Sequence, residues 1–336
     1  MAGGATWVAG IALSKATDAI DARLNLGEAL GGMILLAIAG SLPELAITIT
    51  AAAGGHLGLA AGNLIGGIAI QTLVLVLCDA VASGQDTLSY LVGSLMPVFD
   101  ALLVIVVVVV TVAGGLLKPT AAIGSVSPAS IAIVVLWLLG MWWLNHLRKD
   151  LRWQTDAPGS HPGRTHRRKR QAPSGHPFDG HSTAYVVLVF LGASAVTLVA
   201  GVVLANTGNT LATRAGINGV IFGATILAGV TALPEISSGI AAVNLGDYQL
   251  VMGDIFGGNA FQVCLFLVAD LIAGKPVLPH QGAANSWLGG LGVILTAIYA
   301  AGIIARPRRF GRLGVDSVAV LIIFAFGIAG LVYVAQ

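Results

Sequence analysis

Long apolar runs separated by short polar turns set the rhythm of this chain. With about 20 mostly apolar residues needed to cross the hydrocarbon layer, ten such stretches can be marked. They lie near residues 4–21, 28–54, 57–83, 88–113, 121–146, 184–206, 214–244, 247–273, 285–305 and 314–335. Ten membrane-spanning helices are therefore expected. One segment interrupts the rhythm: residues 147–182, rich in Pro, Gly, His and Arg, read as a solvated, disordered linker between the fifth and sixth spans. A second irregularity lies inside an apolar stretch. The text GSLPELAITIT, starting at Gly40, sets a proline and then a carboxylate, Pro43 and Glu44, in a run that its neighbours mark as membrane-buried.

Sliding the chain against itself explains that text. At an offset of 191 residues, 32–80 aligns with 223–271 without a gap and with 16 identities in 49 positions. Leu42-Pro43-Glu44 meets Leu233-Pro234-Glu235, GNLIGGIAIQ (62–71) meets GDIFGGNAFQ (253–262), and Asp79 meets Asp270. Matches in Pro, Glu, Gln and Asp are not what shared hydropathy supplies. The chain is read as a duplicated five-span unit: residues 1–146 with motifs 40–44 and 62–71, and residues 183–336 with motifs 231–235 and 253–262, joined by the basic linker 147–182. Five crossings leave the second copy entering from the opposite face. The expected fold is thus an all-α membrane protein, ten transmembrane helices in two inverted-topology five-helix repeats with broken helices at the midplane, the architecture of alternating-access transporters.

Composition agrees with a multi-pass membrane protein: 56% of the 336 residues are hydrophobic and 10% charged. The charges orient it. The linker carries eight Lys or Arg, the turn after span nine four (Arg306, Arg308, Arg309, Arg312), and Lys15 and Arg23 flank the first turn. With ten spans these fall on one side, against Lys118, Arg214 and Lys275 on the other, so the positive-inside rule places the linker in the cytoplasm and both termini outside. The N-terminus has no basic n-region or cleavage site, and insertion into the cell membrane is expected to be driven by the spans themselves. Membrane lipids and inorganic cations are the expected partners. No nucleic acid, protein partner or cofactor is called for, and the two cysteines, Cys78 and Cys264, read as small buried side chains.

Of three glutamates, Glu28, Glu44 and Glu235, two occupy equivalent mid-span places. A carboxylate at that depth costs at least about 2.5–3.5 kcal/mol. Each follows a proline, which removes a backbone donor and is expected to free the carbonyl of Ala39 or Val230. Carboxylate and carbonyl oxygens are ligands for hard cations, which makes Glu44 and Glu235 the expected metal-binding pair. From Glu44 the helix runs on about 15 Å, turns at Gly54-Gly55 and comes back, so that Gln71 can return to the depth of Glu44, as Gln262 can to that of Glu235. Two charges and two amide oxygens balance one divalent ion, two Na+ or two protons. Asp254 stands where the first repeat has Asn63; with Ser41 these mark a route for the ion. Asp79 and Asp270, nearer their span ends, fit interfacial anchoring.

These motifs resemble those of the cation/Ca2+ exchanger superfamily, whose two inverted five-helix repeats each carry a GTSLPE-like stretch followed by a GNxxGSNxxN-like stretch. The matching text is AGSLPE (39–44) with GNLIGGIAIQ, and VTALPE (230–235) with GDIFGGNAFQ. The resemblance implies cation binding by Glu44 and Glu235 and a ligand role for Thr231, which keeps the family threonine. Several letters depart from it. Gly40 replaces that threonine in the first repeat, Gly67 and Gly258 replace the motif serine, and Gln71 and Gln262 stand where Asn or Asp is usual. Hydroxyl ligands for Na+ are thereby depleted, and Na+ and H+ both stay open as coupling ions.

The reading that follows is a secondary antiporter moving Ca2+ or a related cation against Na+ or H+. Its alternatives are a Na+/H+ exchanger without Ca2+ transport and a non-transporting sensor or scaffold. An enzyme is not expected: the histidines lie in loops or at span ends, and no HExxH or GxGD occurs.

Overall fold

A computed structural model describes residues 2–24, 40–82, 86–150, 178, 180–217, 219–244 and 246–335. Glu28, Ala39 and the first half of the expected second span lie outside these residues, as does 151–177 of the linker.

The first half comprises α1 (Ala2–Leu24), α2 (Leu42–Ala53), α3 (Leu57–Val81), the single turn α4 (Leu88–Leu91), α5 (Met96–Gly114) and α6 (Pro128–Asp150). The second comprises α7 (Thr183–Ala215), α8 (Gly219–Thr231, with a π turn over Gly223–Leu227), α9 (Leu233–Asn244), α10 (Tyr248–Gln262), α11 (Leu265–Ala273), α12 (Gly282–Ala305) and α13 (Val315–Val334). A two-stranded turn, Arg309–Phe310 against Leu313–Gly314, precedes α13. Among the described residues, seven helical stretches, with α10 and α11 taken as one (Tyr248–Ala273), are long and apolar enough to cross a membrane, or eight when α8 and α9, bent by 44°, also count as one span. The ten expected spans are therefore found in part. α1 falls short in apolar character, because Lys15, Asp18, Asp21 and Arg23 crowd its second half, and α2 spans only 12 residues.

Local chemistry sets the breaks. Pro43 and Pro234 stand just past the breaks at Ser41 and Ala232. Each is the second residue of a new helix, where a missing N–H costs nothing and the fixed φ suits the first turn. α2 is capped at Gly54 and turned by Gly55, whose φ of +75° lets the His56 N–H reach back to Ala51 O. The equivalent turn closes at Gly246 (φ +74°), and Asp247 caps α10 by accepting from the Leu250 N–H at 3.1 Å.

Helix α3 is the innermost span. Leu64, Ile65, Ile68 and Leu75 are fully buried, and it packs against α12, α9, α10 and the π turn of α8. Approach is closest at its glycines: a Cβ on Gly66 would lie 2.3 Å from Ala224 Cα, and one on Gly62 2.8 Å from Val220 O. α1 packs mainly on α7, which in turn lies against α2. Arg23 clasps the α1 end to the approach to α7, donating to Phe178 O (2.9 Å) and His181 O (3.0 Å). Outward faces carry exposed Val106, Val109, Leu138, Trp142, Leu188, Val199 and Phe326. Such a continuous apolar exterior suits a lipid environment.

Two buried aspartates tie the halves together by the same device used twice. Asp79 Oδ1 accepts from the Leu88 N–H (2.7 Å), while Oδ2 accepts from the Gly314 N–H (2.6 Å) and from Ser317 Oγ (2.7 Å) at the start of α13. Asp270 Oδ1 accepts from the Val277 N–H (2.6 Å), and Oδ2 from the Ser127 N–H (2.9 Å) just before α6. Each acid fixes its own following loop and the entry to the last helix of the other repeat. The expected anchoring role is thus met at buried backbone amides rather than at a water interface, because both residues are almost fully enclosed. Asp79→Asn turns an amide NH2 toward N–H donors, and its expected cost is about 2 kcal/mol, the scale of a hydrogen bond to a charged group. A lower melting temperature in detergent checks this. An unchanged melting temperature would show that these bonds do not hold α13.

Candidate cation site

The two motif glutamates lie in the first turns of α2 and α9, where the helix N-terminus carries positive partial charge and favours carboxylates. Glu44 is 1% exposed and neither of its carboxylate oxygens has a hydrogen-bond partner. Glu235 is half-buried, and its Oε2 is buried without a partner. Glu235 lies within electrostatic reach of both Glu44 and Asp254. Burying one unpaired carboxylate is unfavourable by several kcal/mol, and a second nearby adds repulsion. A cation or protons resolve that arrangement.

The same motifs carry neutral oxygens. Thr231, at the end of α8, is buried and donates to Ala228 O at 3.1 Å, while its side chain also approaches Glu44. Gln262 and Gln71 meet the opposite helix at reciprocal points. The Gln262 amide fills the space beside Gly67, where a Cβ would come within 2.2 Å of its Nε2, and Gln71 Oε1 faces Gly258, 3.9 Å from the equivalent point. Gln262 Nε2 donates to Leu64 O (2.9 Å) and Asn63 O (3.3 Å), which leaves its buried Oε1 without a partner. The motif glycines thus do two different jobs: Gly62 and Gly66 allow helices to touch, and Gly67 makes room for an amide.

The remaining expected residues are distributed as follows. Ser41, buried just before α2, makes no side-chain capping bond to that helix. Asn63 is fully buried with both side-chain polar atoms unpartnered. Asp254 is half-buried and accepts from Ser238 Oγ at 3.3 Å. The Val230 carbonyl, expected to be freed by Pro234, shares the Ala232 N–H with Ala228 O, since the chain tightens at the break. Ala39 lies outside the described residues. Two polar residues escaped the sequence reading. Asn259 and Thr48 are fully buried with no hydrogen-bond partner; Thr48 lies one turn beyond Glu44, and Asn259 three residues before Gln262. Their signal was present in an amide inside GGNAFQ and a hydroxyl four residues after a motif acid. Among the described residues, no group of three or more His, Cys, Asp or Glu is arranged to hold a metal.

A family model, the sodium/calcium exchanger protein, matches residues 1–146 and 185–334. The chain belongs to that family. Both motif pairs of this exchanger-family chain fall inside the matched blocks. It is 24% identical over 297 residues to "Putative antiporter CaxA" of Alkalimonas amylolytica, covering 88% of this chain and 86% of that protein. It is 27% identical over 237 residues to the inner membrane protein YrbG of Escherichia coli (strain K12), covering 70% and 66%. In fold it is similar to the H+/Ca2+ exchanger CAX, with a TM-score of 0.68 at 15% identity over 99% of this chain and 85% of that one. The sodium-calcium exchanger NCX_Mj superposes with a TM-score of 0.58 at 17% identity, covering 97% and 94%. The protein is accordingly a multi-pass membrane protein of a cation-antiporter family.

Proposed function

We propose that this chain is a secondary antiporter that exchanges Ca2+, or a related hard cation, for Na+ or H+ across the cell membrane by alternating access. In this reading it has ten spans in two inverted repeats, with both termini outside and the linker 147–182 in the cytoplasm. Glu44 and Glu235 hold the cation as charged ligands, and Gln71, Gln262 and Thr231 supply neutral oxygens, with the carbonyls of Ala39 and Val230 at the two breaks. One observation carries the proposal: two repeat-equivalent glutamates stand in the first turns of helices that start at proline-marked breaks, with buried carboxylate oxygens unpartnered. That set offers two negative charges and hard oxygens to one divalent ion. The relatives named as antiporters and Ca2+ exchangers point the same way.

Purified protein in liposomes is expected to take up Ca2+ when an outward Na+ or H+ gradient is imposed. No flux of any cation under either gradient would sink the proposal. A Na+/H+ exchanger without Ca2+ transport is the second reading, favoured by Gln71 and Gln262, which leave no acid where the family usually has Asn or Asp. Calorimetric titration of the detergent-solubilised protein separates the two: heat with Ca2+ supports the first, and heat with Na+ alone the second.

A further inference from the structure

The last two helices of each repeat pack alike, but they leave different seams. In the second repeat, α12 and α13 meet at two glycines: a Cβ on Gly327 would lie 2.5 Å from Leu291 Cδ1, and one on Gly330 2.5 Å from Trp287 Cζ2. Trp287 Nε1 donates to Gly327 O at 2.8 Å, so the indole fills that seam from within. In the first repeat the same contact recurs between α5 and α6, where a Cβ on Gly140 would lie 2.4 Å from Leu103 Cδ1. The places of Trp287 and Gly330 are taken there by Phe99 and Trp143. Those two rings meet edge to face, with centroids 6.1 Å apart and planes at 78°.

A groove of about 380 Å3 stays open between the two helices, lined by Phe99, Leu103 and Val106 on α5 and by Leu136, Gly140 and Trp143 on α6. Every side chain lining it is apolar, and its rim faces outward, with Val106 45% and Trp143 52% exposed. The seam stands away from the motif helices. In the second repeat α8 packs chiefly on α3, whereas α12 packs on α13, α5 and α3, and α5–α6 is the counterpart of that α12–α13 pair. From Phe99 to Val106 the groove follows about 10 Å of helix, against about 15 Å for the hydrocarbon of one leaflet. A groove of this size left empty in lipid forfeits dispersion contacts along its whole lining. The occupant at hand in a bilayer is an acyl chain.

The end of the groove selects the headgroup. Beyond Trp143, Trp142 stacks on His146 with centroids 6.0 Å apart, an aromatic pair of the kind that marks a membrane interface. α6 then continues through Arg148 and Lys149 to Asp150, so Lys149 stands about 9 Å of helix past Trp143. Arg152 follows in the sequence, and residues 148–152 hold three basic groups against the single acid Asp150. α13 carries no Lys or Arg. An open apolar groove and a basic end thus coincide on α5–α6, and on α12–α13 both are replaced.

We propose that the α5–α6 groove is a phospholipid site. One acyl chain of an anionic lipid, in the leaflet on the linker side, lies between Phe99 and Val106, with its headgroup at the basic end of α6. The proposal depends on membrane insertion and not on which ions the protein exchanges.

Tryptophan fluorescence of the full-length protein in phosphatidylcholine vesicles tests it, with phosphatidylglycerol brominated on its acyl chains as the probe. Brominated phosphatidylglycerol is expected to quench with a saturable component, half complete at about a tenth of the mole fraction that brominated phosphatidylcholine requires, because each basic residue near the surface favours an anionic headgroup. High salt should narrow that preference. Trp142→Phe combined with Trp143→Phe should remove the saturable component, since Trp137 is buried and Trp287 belongs to the other seam. Arg148→Gln combined with Lys149→Gln should abolish the preference while both lipids still quench. Val106→Phe combined with Leu136→Phe, at positions that are exposed and half-buried, fills the groove and should remove the saturable component for both lipids. Equal mole-fraction dependence of the two lipids with unsubstituted protein would overturn the proposal by reducing the groove to ordinary lipid-facing surface. A selective component that survives groove filling would overturn it by placing the anionic lipid elsewhere. Quenching that appears only after trypsin has cut the linker, or only when the protein is diluted into excess lipid, would give the groove to the linker or to a second copy of the chain and overturn it as well.

Discussion

Glu44→Gln and Glu235→Gln are each expected to reduce Ca2+ flux in proteoliposomes by at least about a hundredfold, with the double variant no worse than the single ones. Removing one member of a buried charge pair typically costs 2–5 kcal/mol, and about 1.4 kcal/mol is a factor of ten, so the midpoint of that range already exceeds two decades. The single and double effects should coincide because the carboxylates act as one ligand set rather than independently. A second readout separates binding from folding. The Glu44 carboxylate meets no partner in hydrogen-bonding geometry beyond the approach of Thr231, which a Gln oxygen can equally receive, so an amide there should leave the melting temperature in detergent unchanged or raised. The stabilisation conferred by saturating Ca2+, about 2.7 kcal/mol at a hundred times Kd, should vanish instead. A Glu44→Gln protein that still transports, or one that melts many degrees lower without Ca2+, would show that the carboxylate serves packing and not the ion.

The candidate site stood out in the sequence because its residues are expensive in a membrane and occur twice. Glu44 and Glu235 stood out as acids without local compensation, and the 191-residue offset brought Gln71 and Gln262 in with them. The reciprocal meeting of Gln262 with Gly67 and of Gln71 with Gly258 follows from that repeat. Other features depended on contacts between sequence-distant segments. Asp79 and Asp270 looked like groups near a span end, and only folding brings Gly314 to one and Ser127 to the other. Asn259 and Thr48 were obscured because hydroxyl and amide residues in apolar runs usually bond their own helix backbone, as Thr72 does to Ile68 O at 2.7 Å. The prolines were read as breakers within spans, whereas the chain breaks one residue before each helix start and lets them begin α2 and α9. The span count suffered from α1, where the run that begins at Trp7 fades into Lys15, Asp18 and Asp21.

Adjacent glycines in α3 separate what holds the fold from what serves the ion. Gly66→Val is expected to cost about 3 kcal/mol or more, the upper end of what overpacking a site that cannot yield costs. Its Cβ would fall 2.3 Å from Ala224 Cα and 2.4 Å from Ala224 Cβ, so the neighbour that must move is backbone, in the π turn of α8. The helix-propensity gain on replacing Gly, under about 1 kcal/mol, cannot offset that. Gly67→Ala meets only the far end of a flexible side chain, Gln262 Nε2 at 2.2 Å. Gln262 can swing away, giving up its bonds to Asn63 O and Leu64 O, and the net change in stability should stay within about 1 kcal/mol, since propensity gained and hydrogen bonds lost are of similar size. What Gly67→Ala loses is the orientation of the amide oxygen, so KM for Ca2+ should rise while the protein stays folded. Gly66→Val should instead show low yield and a depressed melting temperature, with an unchanged KM in whatever fraction folds. If Gly67→Ala proved as unstable as Gly66→Val, Gln262 would be a packing strut between α3 and α10, and the amide ligands would have to be struck from the site.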